Sequence, residues 1–151
     1  MARVANNEIS NGYSDVLIIK HGDLTASGTT QTFTIPIPAG AIVRAVGLYN
    51  EEEFDGVGAS LTVVMGDGSD PDGFLASTQI HTDDGSTKTY ANGTGNYLDG
   101  GSTDNEQQGK LYEAADTIDC LFTLNTGALS DISQGKVRLY VDLKRLNPEA
   151  P

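Results

Sequence analysis

The segment Lys136-Val-Arg-Leu-Tyr-Val-Asp-Leu-Lys144 alternates without a break, with Val137, Leu139, Val141 and Leu143 on one face of an extended chain and Arg138, Tyr140, Asp142 and Lys144 on the other. A period of two belongs to a half-buried strand and not to a helix, so the segment predicts an antiparallel sheet with one dry and one wet face. The pattern recurs: Thr30–Ile37 places Phe33, Ile35 and Ile37 together, and its Pro36 marks an edge strand or a strand end. Ile118, Cys120, Phe122 and Leu124 share another face, which Asn125-Thr-Gly127 closes. Leu61–Met65 is an apolar run that breaks into Gly66-Asp-Gly-Ser-Asp-Pro-Asp-Gly-Phe74, where glycine and proline supply the backbone angles of a tight connection.

Elsewhere the reading is coarser. Residues 1–14 are polar and turn-prone and predict an extended N-terminal arm, followed by a buried strand at Asp15–Ile19. Ala41–Tyr49 reads as a strand with Ile42, Val46 and Leu48 on one face, although Arg44 shares that register, and Glu51–Gly56 reads as a loop. Gly73–Ile80 is a weaker strand. His81–Gly109 is nearly free of aliphatic residues and predicts a long loop, with Tyr90, Tyr97 and Leu98 as isolated apolar points. Residues 145–151 form a tail. The count is seven or eight strands, no helix beyond two turns and no repeat of fixed period. Eighteen glycines, no tryptophan and a core of Val, Ile and Leu make this one all-β domain over 1–151, a sandwich or a barrel.

Charge narrows the partners. Asp and Glu number 21 against nine Lys and Arg, a net of −12, so phosphate backbones are repelled and no nucleic acid is expected. No Lys or Arg falls between Arg44 and Lys88, a stretch with nine carboxylates that reads as a solvated acidic face. No apolar run approaches the ~20 residues of a spanning helix, so no membrane partner is expected. Met1–Asn7 lacks the apolar stretch of a secretory signal, which predicts synthesis in the cytoplasm. Cys120 is the single cysteine and reads as a small buried hydrophobe.

Catalytic equipment is sparse. His21 and His81 leave few members for a nucleophilic triad, and the carboxylates are too many for any pair to be specific. Gly66-Asp-Gly68 has Pro71 where a dinucleotide fingerprint needs its third glycine, and Pro71 and Thr78 also break the calcium-loop pattern starting at Asp67. A looser oxygen cage from Asp67, Asp70 and Asp72 stays open beside a plain surface turn. The expectation is no enzyme, no cofactor and no dedicated metal site.

The segments Phe33-Thr-Ile-Pro-Ile-Pro-Ala-Gly-Ala-Ile-Val43, Leu61–Phe74 and Gly135-Lys-Val-Arg-Leu-Tyr-Val-Asp-Leu143 together resemble small structural proteins of tailed-bacteriophage virions. The chain is similar to capsid decoration, or cement, proteins. That resemblance implies an antiparallel, jelly-roll-like β-sandwich and a homotrimer that binds the major capsid protein outside the head, at capsomer junctions. It implies a place on the virion after synthesis in the host cytoplasm. Capsid contacts are then expected in the arm, at Arg3, Val4, Ile9 and Tyr13, and oligomer contacts at Tyr90, Tyr97, Leu98, Arg138 and Tyr140, since exposed aromatic and arginine side chains are good interface anchors. The alternative is a calcium- or carbohydrate-dependent adhesion module, a head fibre or tail component using the acidic loops.

Overall fold

The computed structural model describes residues 3–6, 15–82, 87, 90–98 and 109–146, of which 3–6 and 15 are described by backbone alone. Strands β1 (Arg3–Asn6), β2 (Asp15–Lys20), β4 (Ala41–Asp55), β7 (Tyr90–Asn92), β8 (Lys110–Tyr112) and β10 (Gln134–Arg145) form the larger sheet. Its order is β1-β2-β10-β4-β7, with β8 also on β4. The smaller sheet has the order β3 (Thr30–Ile37), β9 (Asp116–Leu124), β5 (Ser60–Gly66), β6 (Leu75–Thr82). Every pairing is antiparallel, and the chain is all-β, two sheets facing each other across one core. β7 pairs with Gly47–Tyr49 and β8 with Ala41–Val43, so the two are successive pieces of one strand position that the chain leaves after Asn92 and rejoins at Lys110.

The alternating segments put their apolar faces where the period requires. Ile35, Ile118, Cys120, Phe122, Val137, Leu139 and Val141 are fully buried, and Leu143 packs against the core from its margin. Each large side chain removed from water contributes about 1.5–3 kcal/mol, which is the term that selects this register over one shifted by a residue. Cys120 is a free thiol within that core, and burial pushes its ionisation well above the ordinary range. Pro36 lies in β3, an edge strand, as its missing N–H demands.

Three expectations change. In β4 the register shifts between Asp142↔Ala45 and Leu143↔Val43, leaving Arg44 as the extra residue of a bulge. The inward residues are therefore Ala41, Val43, Val46, Leu48 and Asn50, and Ile42 belongs to the outer side. Arg44 reaches Asp142 at 3.3 Å. Second, Glu51–Gly56 is not a loop: β4 continues to Asp55, because Phe54 is buried completely while Glu51, Glu52 and Glu53 stay at the wet surface. Third, β6 runs on to Thr82, with His81 buried, and β7 interrupts the stretch read as a long loop. Arg3 and Val4 lie in β1, paired with β2, and β10 runs to Arg145. Ile9, Tyr13 and residues 147–151 lie outside the described residues.

Candidate functional site

Strand register assembles a surface on the outer side of the larger sheet. Ile18, Arg138, Tyr49 and Tyr90 occupy neighbouring positions across β2, β10, β4 and β7, and Arg3 takes the register position beside Ile18 on β1. The adjacent row is Val16, Tyr140, Gly47 and Asn92. Tyr90 is 67% exposed and Tyr49 45%, a directly opposed cross-strand pair of aromatics left in solvent. Tyr140 lies across the sheet: a Cβ at position 47 would collide with its ring and hydroxyl, so Gly47 provides the bed for it. Its hydroxyl donates to Asn92 Oδ1 at 2.9 Å.

Opposite charges meet on this surface, with two cations on one carboxylate. Arg138 Nε donates to Glu51 Oε2 at 2.7 Å, and Lys136 Nζ stands 3.1 Å from the same oxygen. The Arg138 hydrogen bond, aided by Lys136 and opposed by slight desolvation, holds the Glu51 carboxyl below the usual carboxylate range. Exposed pairs of this kind add little stability, and here they leave one positive charge over. Every Lys or Arg placed in a strand lies in the larger sheet, and the strands of the smaller sheet carry none. The result is a tyrosine-bearing face in the sheet that gathers the strand cations of a protein of net charge −12.

Tyr97 and Leu98 sit elsewhere. Asp67, 2% exposed, accepts hydrogen bonds from Lys110 Nζ, Tyr112 OH (2.7 Å), Tyr97 OH (3.0 Å) and the N–H groups of Ser69 and Asp70 (3.0 Å each). Desolvation pushes the Asp67 carboxyl up, but the donors, led by Lys110 and Tyr112, outweigh it and hold the group at about 2. Lys110 Nζ lies 4.1 Å from the centre of the Tyr97 ring, which meets Phe74 edge-on at 4.9 Å. Backbone bonds Gly95 N–H to Phe74 O (3.0 Å) and Tyr97 N–H to Gly73 O (2.9 Å) lace the acidic turn to the segment after β7. Leu98 packs against the core.

Of the five residues read as oligomer contacts, Tyr90, Arg138 and Tyr140 share one face, and Tyr97 and Leu98 are turned into the fold. Tyr49 was not among them, because only the β4–β7 register places it beside Tyr90. The oxygen cage does not form: Asp67 points inward to its donors, Asp72 is exposed, and no group of three His, Cys, Asp or Glu suited to a metal ion occurs among the described residues. His81 is buried with Nε2 3.2 Å from Gly58 O, while His21 is exposed.

No family model matches the sequence, and no curated protein does. Among solved structures, the fold is similar to a chain of the cyanophage Pam1 capsid asymmetric unit, over 96% of this chain and 94% of that chain, at 17% identity and a TM-score of 0.49. A second similarity is to a chain of the acidic stable capsid structure of Helicobacter pylori bacteriophage KHP30, over 85% of this chain and 98% of that chain, at 13% identity and a TM-score of 0.38.

Proposed function

We propose that this protein is a structural component of a tailed-phage virion, a decoration protein that binds the outside of the head at capsomer junctions and stabilises it. The observation that carries the reading is the outer face of the larger sheet, where Tyr49, Tyr90, Tyr140 and Arg138 gather on the cation-bearing sheet of an otherwise acidic domain. Tyrosine and arginine are the residues that concentrate binding energy at protein interfaces, and a sheet that gathers the cations is where bodies of net negative charge meet less repulsion. The segments that resemble decoration proteins contribute β3, β5, β10, the start of β4 and the acidic turn. The strand order, β2, β10, β4 and β7/β8 over β3, β9, β5 and β6, supports a jelly-roll reading.

In this reading Tyr49, Tyr90, Arg138 and Tyr140 join copies into a homotrimer, and the arm, with Arg3, Val4, Ile9 and Tyr13, reaches the major capsid protein. Symmetry then multiplies contacts that are individually weak, and no active site is needed. Light scattering is expected to give a mass near three times 15.9 kDa, and sedimentation with empty shells is expected to carry the protein down. The double variant Tyr49→Ala, Tyr90→Ala removes two anchors of about 2 kcal/mol each, so association should weaken on the order of 100-fold or more with the melting temperature preserved. A folded double variant that stays trimeric refutes the role of the face. Deletion of residues 1–12 that leaves shell binding intact refutes that of the arm, and a wild-type protein that ignores shells overturns the decoration reading.

A further inference from the structure

One of the two edge strands of the smaller sheet is β3. β3 pairs with β9 alone among the described strands. In an antiparallel ladder, alternate residues exchange N–H and C=O bonds with the partner while the residues between turn theirs outward. Leu124 N–H donates to Thr29 O at 2.8 Å, and Pro36, which has no N–H, stands opposite Thr117. Both facts set the same phase: Gln31, Phe33, Ile35 and Ile37 bond to β9, and Thr30, Thr32, Thr34 and Pro36 present their backbone groups to the open edge. All four of the latter are exposed.

Natural edges are guarded by charge, by proline, by shortness or by a covering element, and Pro36 guards only the far end of this one. This one spans eight residues, and residues 24–43 contain no charged side chain at all in a chain that is 20% charged. A stretch of that length would carry about four charges at the average density, so the gap is a property of this edge. Two copies of net charge −12 repel each other, and they meet least repulsion along such a strand.

We infer that β3 is a docking edge for β3 of a second copy, paired antiparallel about a two-fold axis at Thr32. Centred there, Thr32 opposes Thr32, and Thr30 opposes Thr34 of the second copy. Three residues on each strand exchange donors and acceptors, about six hydrogen bonds in all, while Pro36 falls opposite Gly28, beyond the paired stretch. An axis at Thr34 would instead set Pro36 against Thr32 and lose donors. The contact is isologous and joins two four-stranded sheets into one of eight strands. It stands apart from the decoration reading, since it uses neither the tyrosine face nor the arm, and it is a weak contact that cross-linking traps and that leaves the trimer mass of the dilute protein unchanged.

Symmetric cross-linking tests it. Thr32→Cys under mild oxidation should give a covalent dimer of twice 15.9 kDa on a non-reducing gel, with buried Cys120 silent. Thr34→Cys is the register control: in the same pairing its two copies stand about 13 Å apart, out of disulfide reach, so its dimer should be at least 5-fold weaker. Adding Thr34→Pro to Thr32→Cys removes an edge donor without touching the ladder to β9 and should cut the dimer several-fold. The Tyr49→Ala, Tyr90→Ala background should leave it unchanged, which separates this contact from the proposed trimer. A Thr32→Cys protein that stays uncross-linked, a Thr34→Cys dimer of equal yield, or a dimer indifferent to Thr34→Pro overturns the pairing.

Discussion

Asp67→Ala is expected to cost about 3 kcal/mol of unfolding free energy, the range found when one partner of a buried ion pair is removed. The loss has three sources. The Lys110 ammonium keeps its partly buried position without its counter-charge, the Tyr112 hydroxyl loses its acceptor, and the N–H groups of Ser69 and Asp70 lose the carboxylate that closes the turn. Asp67→Asn retains an acceptor for the hydroxyls and should cost less. Lys110→Met placed on Asp67→Ala should recover part of the loss, because it removes the stranded charge. The pH dependence has a definite sign. A carboxyl held at about 2 in the folded protein, below its ordinary value near 3.9, contributes stability that is complete above that value and disappears as pH falls towards 2. The difference in melting temperature between wild type and Asp67→Asn should therefore shrink steadily from about pH 5 to pH 2. A difference that stays constant across that range would show that the carboxylate charge does not hold the joint.

That joint also marks where reading the sequence stops. β3, β9 and β10 were legible because each buries one face and wets the other, so period alone located them. β4 was legible only in its first half. The bulge at Arg44 moves the parity of what precedes it, and Glu51–Glu53 look like a loop although a strand with a wet outer face tolerates them. Asp67 is one of 21 acidic residues, and nothing local distinguishes it. A faint signal existed in Lys110 and Tyr112, which share a parity, but the partner of that face follows only from tertiary structure. The tyrosine face was half legible: the alternation of β10 exposed Arg138 and Tyr140, whereas the meeting of Tyr49 with Tyr90 depends on cross-strand register that no single segment encodes.

Phe54→Ala is the other large effect, about 3–5 kcal/mol for a fully buried aromatic side chain that leaves a cavity. It should appear as a lower urea midpoint at a nearly unchanged slope, because the fold persists and one side chain is a small part of the surface exposed on unfolding. Phe54 holds the far end of β4 onto the sandwich, in the stretch whose neighbouring carboxylates pull towards water. Its ring lies against Gly135 at the start of β10, where a Cβ would strike the ring and where φ is +131°. Gly135→Ala therefore suffers twice, from the collision and from a backbone angle that an L-residue rarely adopts. The two penalties separate in a double-mutant cycle. With Phe54→Ala in place the clash with the ring is gone, while the backbone strain and the 2.7 Å approach to the Cα of residue 54 remain, so Gly135→Ala should cost less there than in wild type, and the two losses should sum to more than the double variant shows. Equal cost in both backgrounds would mean that the ring does not rest on Gly135, and that β4 beyond Asn50 is held by its pairing with β10 rather than by Phe54.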